Sequence, residues 1–141
     1  MASRAPKRAV AAPAPAAPAP AKPLWLLYVI GWLVPGAGHL WLGRRSKGLV
    51  FLLTLSLMFA IGLLLRGRLF PLDSIADPLV FLAALADVGL GLPYAVARFV
   101  GAGAGDVRAL TFEYGNSFII TAGLLNVLVI IDAHDVALGR K

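Results

Sequence analysis

Gly48-Leu-Val-Phe-Leu-Leu-Thr-Leu-Ser-Leu-Met-Phe-Ala-Ile-Gly-Leu-Leu-Leu65 runs for 18 residues without a formal charge. A helix rising about 1.5 Å per residue makes that stretch about 27 Å long, close to the thickness of a bilayer's hydrocarbon layer. Towards the N-terminus, Pro23–Gly43 is uncharged over 21 residues, and only Gly43-Arg-Arg-Ser-Lys-Gly48 separates the two runs. That turn is too short to leave the surface, so the pair reads as a helical hairpin. Towards the C-terminus, Pro78–Ala97 holds one ionisable residue, Asp87, and Tyr114–Ile131 holds none. Unsatisfied amides in lipid cost several kcal/mol each, so every such run is expected to be helical. The expectation is an all-α integral membrane domain over 24–141, a four-helix protein built as two helical hairpins, with spans at about 24–42, 48–65, 79–97 and 115–131.

Composition agrees with this reading. The chain is 60% apolar and 14% charged over 141 residues, with a mean hydropathy of +0.84. Soluble domains run near 45–50% apolar and about 25% charged, so a water-facing fold would expose a large hydrocarbon surface. Residues 9–23 consist almost wholly of Ala and Pro. With the basic residues before and among them, they make residues 1–23 an Ala/Pro-rich tail expected to be disordered. No convincing A-x-A site follows the apolar stretch Leu24–Val34, which therefore reads as a span and not as a cleaved leader.

The net charge is +6, from 13 Lys and Arg against 7 Asp and Glu. These charges are scattered without interleaved stacking aromatics, so lipid headgroups are the expected partner and nucleic acid is not. Arg44, Arg45 and Lys47 are the candidates for headgroup contact. There is no cysteine, which removes disulfides, thiolate metal sites and cysteine nucleophiles, and no cofactor is expected. With four spans and a cytoplasmic N-terminus, that side would hold eight Lys and Arg against five across the membrane. The dense Arg44–Lys47 turn argues the other way.

Gly31-Trp-Leu-Val-Pro-Gly-Ala-Gly-His-Leu-Trp-Leu-Gly43, followed by Arg-Arg-Ser-Lys-Gly48, resembles the first helix and turn of the two-transmembrane-segment domain family. Over residues 24–141 the chain is similar to a bacterial family of small uncharacterised membrane proteins, domain of unknown function 6677. The residues carrying that likeness are the same Gly-Trp-Leu-Val-Pro-Gly-Ala-Gly-His opening, Glu113–Phe118, Ala122–Asn126 and Asp132–Lys141. The resemblance implies a membrane protein of a bacterial inner membrane and supplies no activity.

Polar residues inside the runs are the candidates for function. Asp87 falls near the middle of its run, where a carboxylate costs about 2.5–3.5 kcal/mol on insertion scales. Counted at about 1.5 Å per residue, Ser56 and Thr121 come to similar depth in straight spans, with Thr54 nearby. Asp87 is thus either a protonatable or ion site, or a side chain hydrogen-bonded to Ser56 or Thr121 that joins helices; the second reading carries more weight.

Pro35-Gly36-Ala37-Gly38-His39 should break the first run, either to line a substrate pocket with His39 at its mouth or to let another helix pass closely. On a 100°-per-residue wheel Gly115, Ala122, Asn126 and Ala133 share a stripe beside Asn116, Gly123 and His134, opposite Ile120, Leu124, Leu125 and Leu128. That stripe reads as a packing seam with Asn126 as its hydrogen-bonding residue. Trp25, Tyr28, Trp41, Tyr94 and Tyr114 fall towards span ends, as amphipathic rings do, while Trp32 is deeper and expected to pack.

Asp132, His134 and Asp135 have the atoms for Zn²⁺ or Mn²⁺. In straight spans, however, His39 lies about 22 Å from the face where His134 emerges. Asp132 and Asp135 are expected instead as hydrated end charges, paired with Arg66, Arg68 or Arg140, so no metal site is assigned. No Ser occupies a Gly-x-Ser-x-Gly elbow. The sequence therefore favours a non-enzymatic structural or interaction role, with self-association or a larger membrane partner. A small channel or transporter subunit using Asp87 is the alternative, and a membrane metalloenzyme is disfavoured.

Overall fold

The computed structural model describes residues 23–72 and 77–140. The expected disordered tail, save for Pro23, lies outside the described residues. Six helices are present: α1 (Leu24–Leu33), α2 (Ala37–Trp41), α3 (Arg45–Leu64), α4 (Pro78–Val88), α5 (Leu92–Phe99) and α6 (Phe112–Ala137). The described residues form no sheet, only an isolated bridge between Arg68 and Ala104.

Two of the four expected spans are unbroken. At 20 and 26 residues, α3 and α6 are long and apolar enough to cross a membrane. They lie antiparallel: Lys47 near the start of α3 reaches Asp132 near the end of α6, and Gly62 near the end of α3 meets Gly115 and Ile119. The other two expected spans are each broken into a bent pair, which corrects the picture of four straight helices in two hairpins.

The first break has a local cause. Pro35 lacks an N–H and pushes the residue before it out of the helical region, and Val34 is extended at φ −129°, ψ 115°. Gly36 then reverses the chain, and α2 returns beside α1, with Gly38 against Leu27 and close to Gly31. Both Tyr28 of α1 and His39 of α2 contact the last turns of α6, at His134 and Asp132. The start of α1 and the end of α2 therefore sit at the same end of the α3–α6 pair, the Lys47 end.

The second break is a bend of 106° between α4 and α5. Asp77 caps α4 by accepting from Leu79 and Val80 N–H at 3.0 and 3.3 Å, with Pro78 in the first turn. The helix follows α6 from Glu113 and Asn116 as far as Gly123, where Ala86 packs. Gly91 then turns at φ +63°, a conformation glycine adopts without strain, with the Trp32 carbonyl where a Cβ would sit. Beyond α5 the chain pairs with the segment after α3, through Leu69 N–H to the Gly103 carbonyl at 2.9 Å. Both ends of this pair thus lie at the opposite end, the Arg66 end.

The fold is an antiparallel α3–α6 pair with two bent helix pairs entering from opposite ends and meeting tip to tip. The core includes Phe59, Leu69, Leu90, Ile119 and Ala122. Exposed leucines such as Leu53, Leu57, Leu124 and Leu128 cover the outside.

Candidate functional site

Asn126 stands where the two tips meet. Its carbon neighbours on α6 are small, Ala122 and Gly123, so both tips can approach the helix closely. The side chain is fully buried and its Nδ2 donates to the Gly31 carbonyl at 3.2 Å and the Gly89 carbonyl at 2.9 Å. Each carbonyl lies close to a helix break, where intrahelical partners run out. The Trp32 indole N–H adds a third link by donating to the Val88 carbonyl at 2.9 Å. These contacts tie α1, the α4–α5 bend and α6 together at a single level.

Asp87 is fully buried one turn from this junction. Its Oδ2 accepts from the Phe70 N–H at 2.8 Å. The expected pairing with Ser56 or Thr121 is therefore corrected: Thr121 is exposed, and Ser56 is half-buried on the wall of a groove. The depth argument assumed a straight span, whereas α4 stops at Val88 and the segment Gly67–Phe70 folds over it, burying Leu69 to 1% exposure. A helical side chain leans towards its own N-terminus, which for Asp87 is the Phe70 side. In the same segment Arg68 N–H donates to Asn116 Oδ1 at 2.8 Å.

The Lys47 end gathers the remaining polar candidates. His39 is fully buried and its Nε2 lies 2.9 Å from Asp132 Oδ2. This overturns the estimate of about 22 Å between His39 and that face, because the chain turns back after Pro35 instead of continuing across. Lys47 Nζ is 3.7 Å from the same Asp132 oxygen. Tyr28 hydroxyl meets His134 Nδ1 at 2.6 Å and stacks on its ring, and Arg140 reaches Asp135 at 3.5 Å. Arg66 and Arg68 lie at the other end and do not meet Asp132 or Asp135.

Among the described residues no group of three or more His, Asp or Glu is placed to hold a metal, so Asp132, His134 and Asp135 do not converge on an ion. Gly43, Arg44, Arg45, Ser46 and Lys47 line a polar recess of about 370 Å³ at the start of α3. Removing the Asp132 carboxylate should leave the buried His39 Nε2 without its partner. Asp132→Ala is expected to cost about 1–3 kcal/mol, read as a lowered Tm in detergent, while Asp135→Ala, in the longer pair with exposed Arg140, costs under about 1 kcal/mol.

Small residues make the approaches possible. Gly115 packs against Gly67 and Gly62, Gly38 against Ala133, and Gly123 against the Ala86 carbonyl. The bend at Gly89–Gly91 and the contacts of Trp32, Tyr28 and Phe70 were not singled out from sequence. Gly89-Leu-Gly91 followed by Pro93 is the signal that marks the bend.

A family model covers residues 26–141, which takes in α2 to α6 and all of α1 but its first two residues. The chain belongs to DUF6677, a family of unknown function. No curated protein and no solved structure matches it. The DUF6677 domain thus takes in the Asn126 junction, the Asp87–Phe70 contact and the His39–Asp132 pair. Family membership assigns a chemical role to none of them.

Proposed function

We propose that this DUF6677 chain is a non-enzymatic protein of the bacterial inner membrane with a structural or interaction role. Two re-entrant helix pairs enter from opposite faces and stop midway between the crossing helices α3 and α6. The observation that carries the reading is the use made of polar groups in the apolar region. Asn126 and Trp32 hold backbone carbonyls, Asp87 holds a backbone N–H and His39 holds Asp132. Such contacts fasten helices, and the groove beside Pro35 is lined almost entirely by apolar side chains. Self-association or a larger membrane partner fits a domain whose outer faces are leucine-rich.

Re-entrance also favours one orientation. On this reading the Arg44–Lys47 turn shares a side with both ends of the sequence, which together carry nine of the 13 Lys and Arg, and Arg66, Arg68, Arg98 and Arg108 fall on the other. The positive-inside rule then makes the N- and C-termini cytoplasmic, with Arg44, Arg45 and Lys47 at the level of anionic headgroups. Cysteines placed at Ser46 and at Ala104 should be labelled by an impermeant reagent from opposite sides, with Ser3→Cys on the side of Ser46. Labelling of Ser3→Cys and Ser46→Cys from opposite sides would restore the four-span arrangement.

A channel or transporter reading is favoured by one observation: Asp87 Oδ1 is buried without a hydrogen-bond partner among the described residues. Asp87→Asn separates the two readings, because asparagine keeps an acceptor for the Phe70 N–H. Under the structural reading the variant keeps its Tm within about 1 kcal/mol of equivalent stability, and wild-type proteoliposomes show no proton or cation flux above protein-free vesicles. Flux through the wild type that Asp87→Asn abolishes would replace the proposal.

A further inference from the structure

An open space lies between α3 and α5. One face of α3, including Leu52, Phe59 and Leu63, looks across a groove of about 410 Å³ at Leu92 and Val96 of α5, with Pro35 at its deep end. From Leu52 to Leu63 the groove follows α3 for about 16 Å. One leaflet is half of a roughly 30 Å hydrocarbon layer, so the groove has the length of a single acyl chain lying along the membrane normal. It ends at the tip of the opposite helix pair, where the leaflet ends as well.

At the Arg66 end the groove changes character. Leu63 and Ala102 also border a second recess of about 300 Å³, lined by Arg66, Asp106 and the loop Gly101–Gly105. Arg66 occupies an unusual position. Its N–H bonds to the Leu63 carbonyl and the next N–H, of Gly67, bonds to the Gly62 carbonyl, the pattern of a helix end closed by a left-handed residue. Glycine is the usual occupant, yet here Arg66 sits at φ +66°, the only non-glycine with positive φ among the described residues. Its guanidinium has no ion-pair partner among the described residues, and the Asp106 carboxylate accepts from the Arg108 N–H at 3.0 Å. A strained backbone that keeps a long cation at the rim of an apolar groove points to what the cation meets there.

We propose that this composite groove holds one aminophospholipid of the leaflet at the Arg66 end. An acyl chain lies between α3 and α5, the phosphate meets Arg66, and the primary ammonium meets Asp106. The cation, the anion and the apolar trench follow the order of the parts of such a lipid. The inference rests on the membrane placement proposed above and deepens it by naming a partner.

The full chain in mild detergent, titrated with phosphatidylethanolamine, phosphatidylglycerol or diacylglycerol and read by native mass spectrometry, tests this directly. One phosphatidylethanolamine per chain should be retained, ahead of phosphatidylglycerol, with diacylglycerol weakest. Val96→Trp, on an exposed wall, should reduce retention at least about tenfold with an unchanged Tm, as should Ser56→Trp from the facing wall. Arg66→Gly suits the backbone and should hold or raise Tm while weakening phosphatidylethanolamine about fivefold, the weight of one basic residue at a membrane surface. Asp106→Asn should equalise the two phospholipids.

Equal retention of diacylglycerol, equal retention of phosphatidylglycerol by the wild type, or retention unmoved by both filling variants overturns the proposal. So does a wild-type dimer that Val96→Trp dissociates, which would make a second copy the occupant. If lipid retention fails while the chain still requires detergent and conducts no ions, the structural reading stands without its lipid.

Discussion

Gly123→Val is expected to abolish the folded state or lower stability by about 3 kcal/mol or more. At this position a Cβ would occupy the place of the Ala86 carbonyl oxygen, and that oxygen belongs to backbone, which cannot swing aside as a flexible side chain does. Overpacking a close-packed core costs about 1–3 kcal/mol when side chains can adjust. Here α4 itself must move off α6, loosening Gly89 from Asn126 and Asp87 from Phe70 together. The neighbouring Leu124→Val, on an exposed position, serves as the control and should change Tm little. Thermal unfolding in a mild detergent, followed by helical circular dichroism, measures both. A Gly123→Val protein with wild-type Tm would mean that α4 does not pack on α6 at this point.

The crossing helices were legible because hydropathy and length are additive along a straight element. Residues 48–65 and 115–131 carry too few charges and too many leucines to be anything else, and α3 and α6 cover them. Direction is what such a count cannot carry. Residues 24–42 have the apolar length of a span, and the Pro35-Gly36 break is visible in them. The return of α2 beside α1, however, depends on Val34 being extended and on Gly36 turning the chain.

The same blindness joined α4 and α5 into one expected span, although Gly89, Gly91 and Pro93 stand within five residues. Every misplaced polar partner follows from those two assumed straight helices. His39 was put about 22 Å from the face it occupies, and Asp87 was given side-chain partners on neighbouring spans instead of a backbone N–H. The stripe on α6 survives because a 3.6-residue period is a property of one helix. Gly115, Ala122, Asn126 and Ala133 are buried while Leu124 and Leu128 face outward.

Asn126→Leu tests the junction itself. Leucine matches asparagine approximately in volume and removes both amide donors, so the Gly31 and Gly89 carbonyls lose their shared partner in a site closed to water. A hydrogen bond between membrane helices is worth about 0.6 kcal/mol on average and up to about 1.7. Leaving a buried polar group unmade costs about 1–3 kcal/mol, and two carbonyls are stranded here, so a loss of about 3 kcal/mol is expected.

Asn126→Asp separates donation from shape. It preserves the outline of the side chain but replaces the donor amide with an oxygen facing two carbonyl oxygens, so it should destabilise at least as much as leucine. If the aspartate variant matched the wild type, Nδ2 donation could not be what joins the tips. Trp32→Phe removes the indole N–H at the Val88 carbonyl, together with part of the ring's bulk, and should cost about 1 kcal/mol. Asn126 and Trp32 link the same two tips. A double variant whose loss departs from the sum of the single losses would show that both links report one event, the separation of the two helix tips.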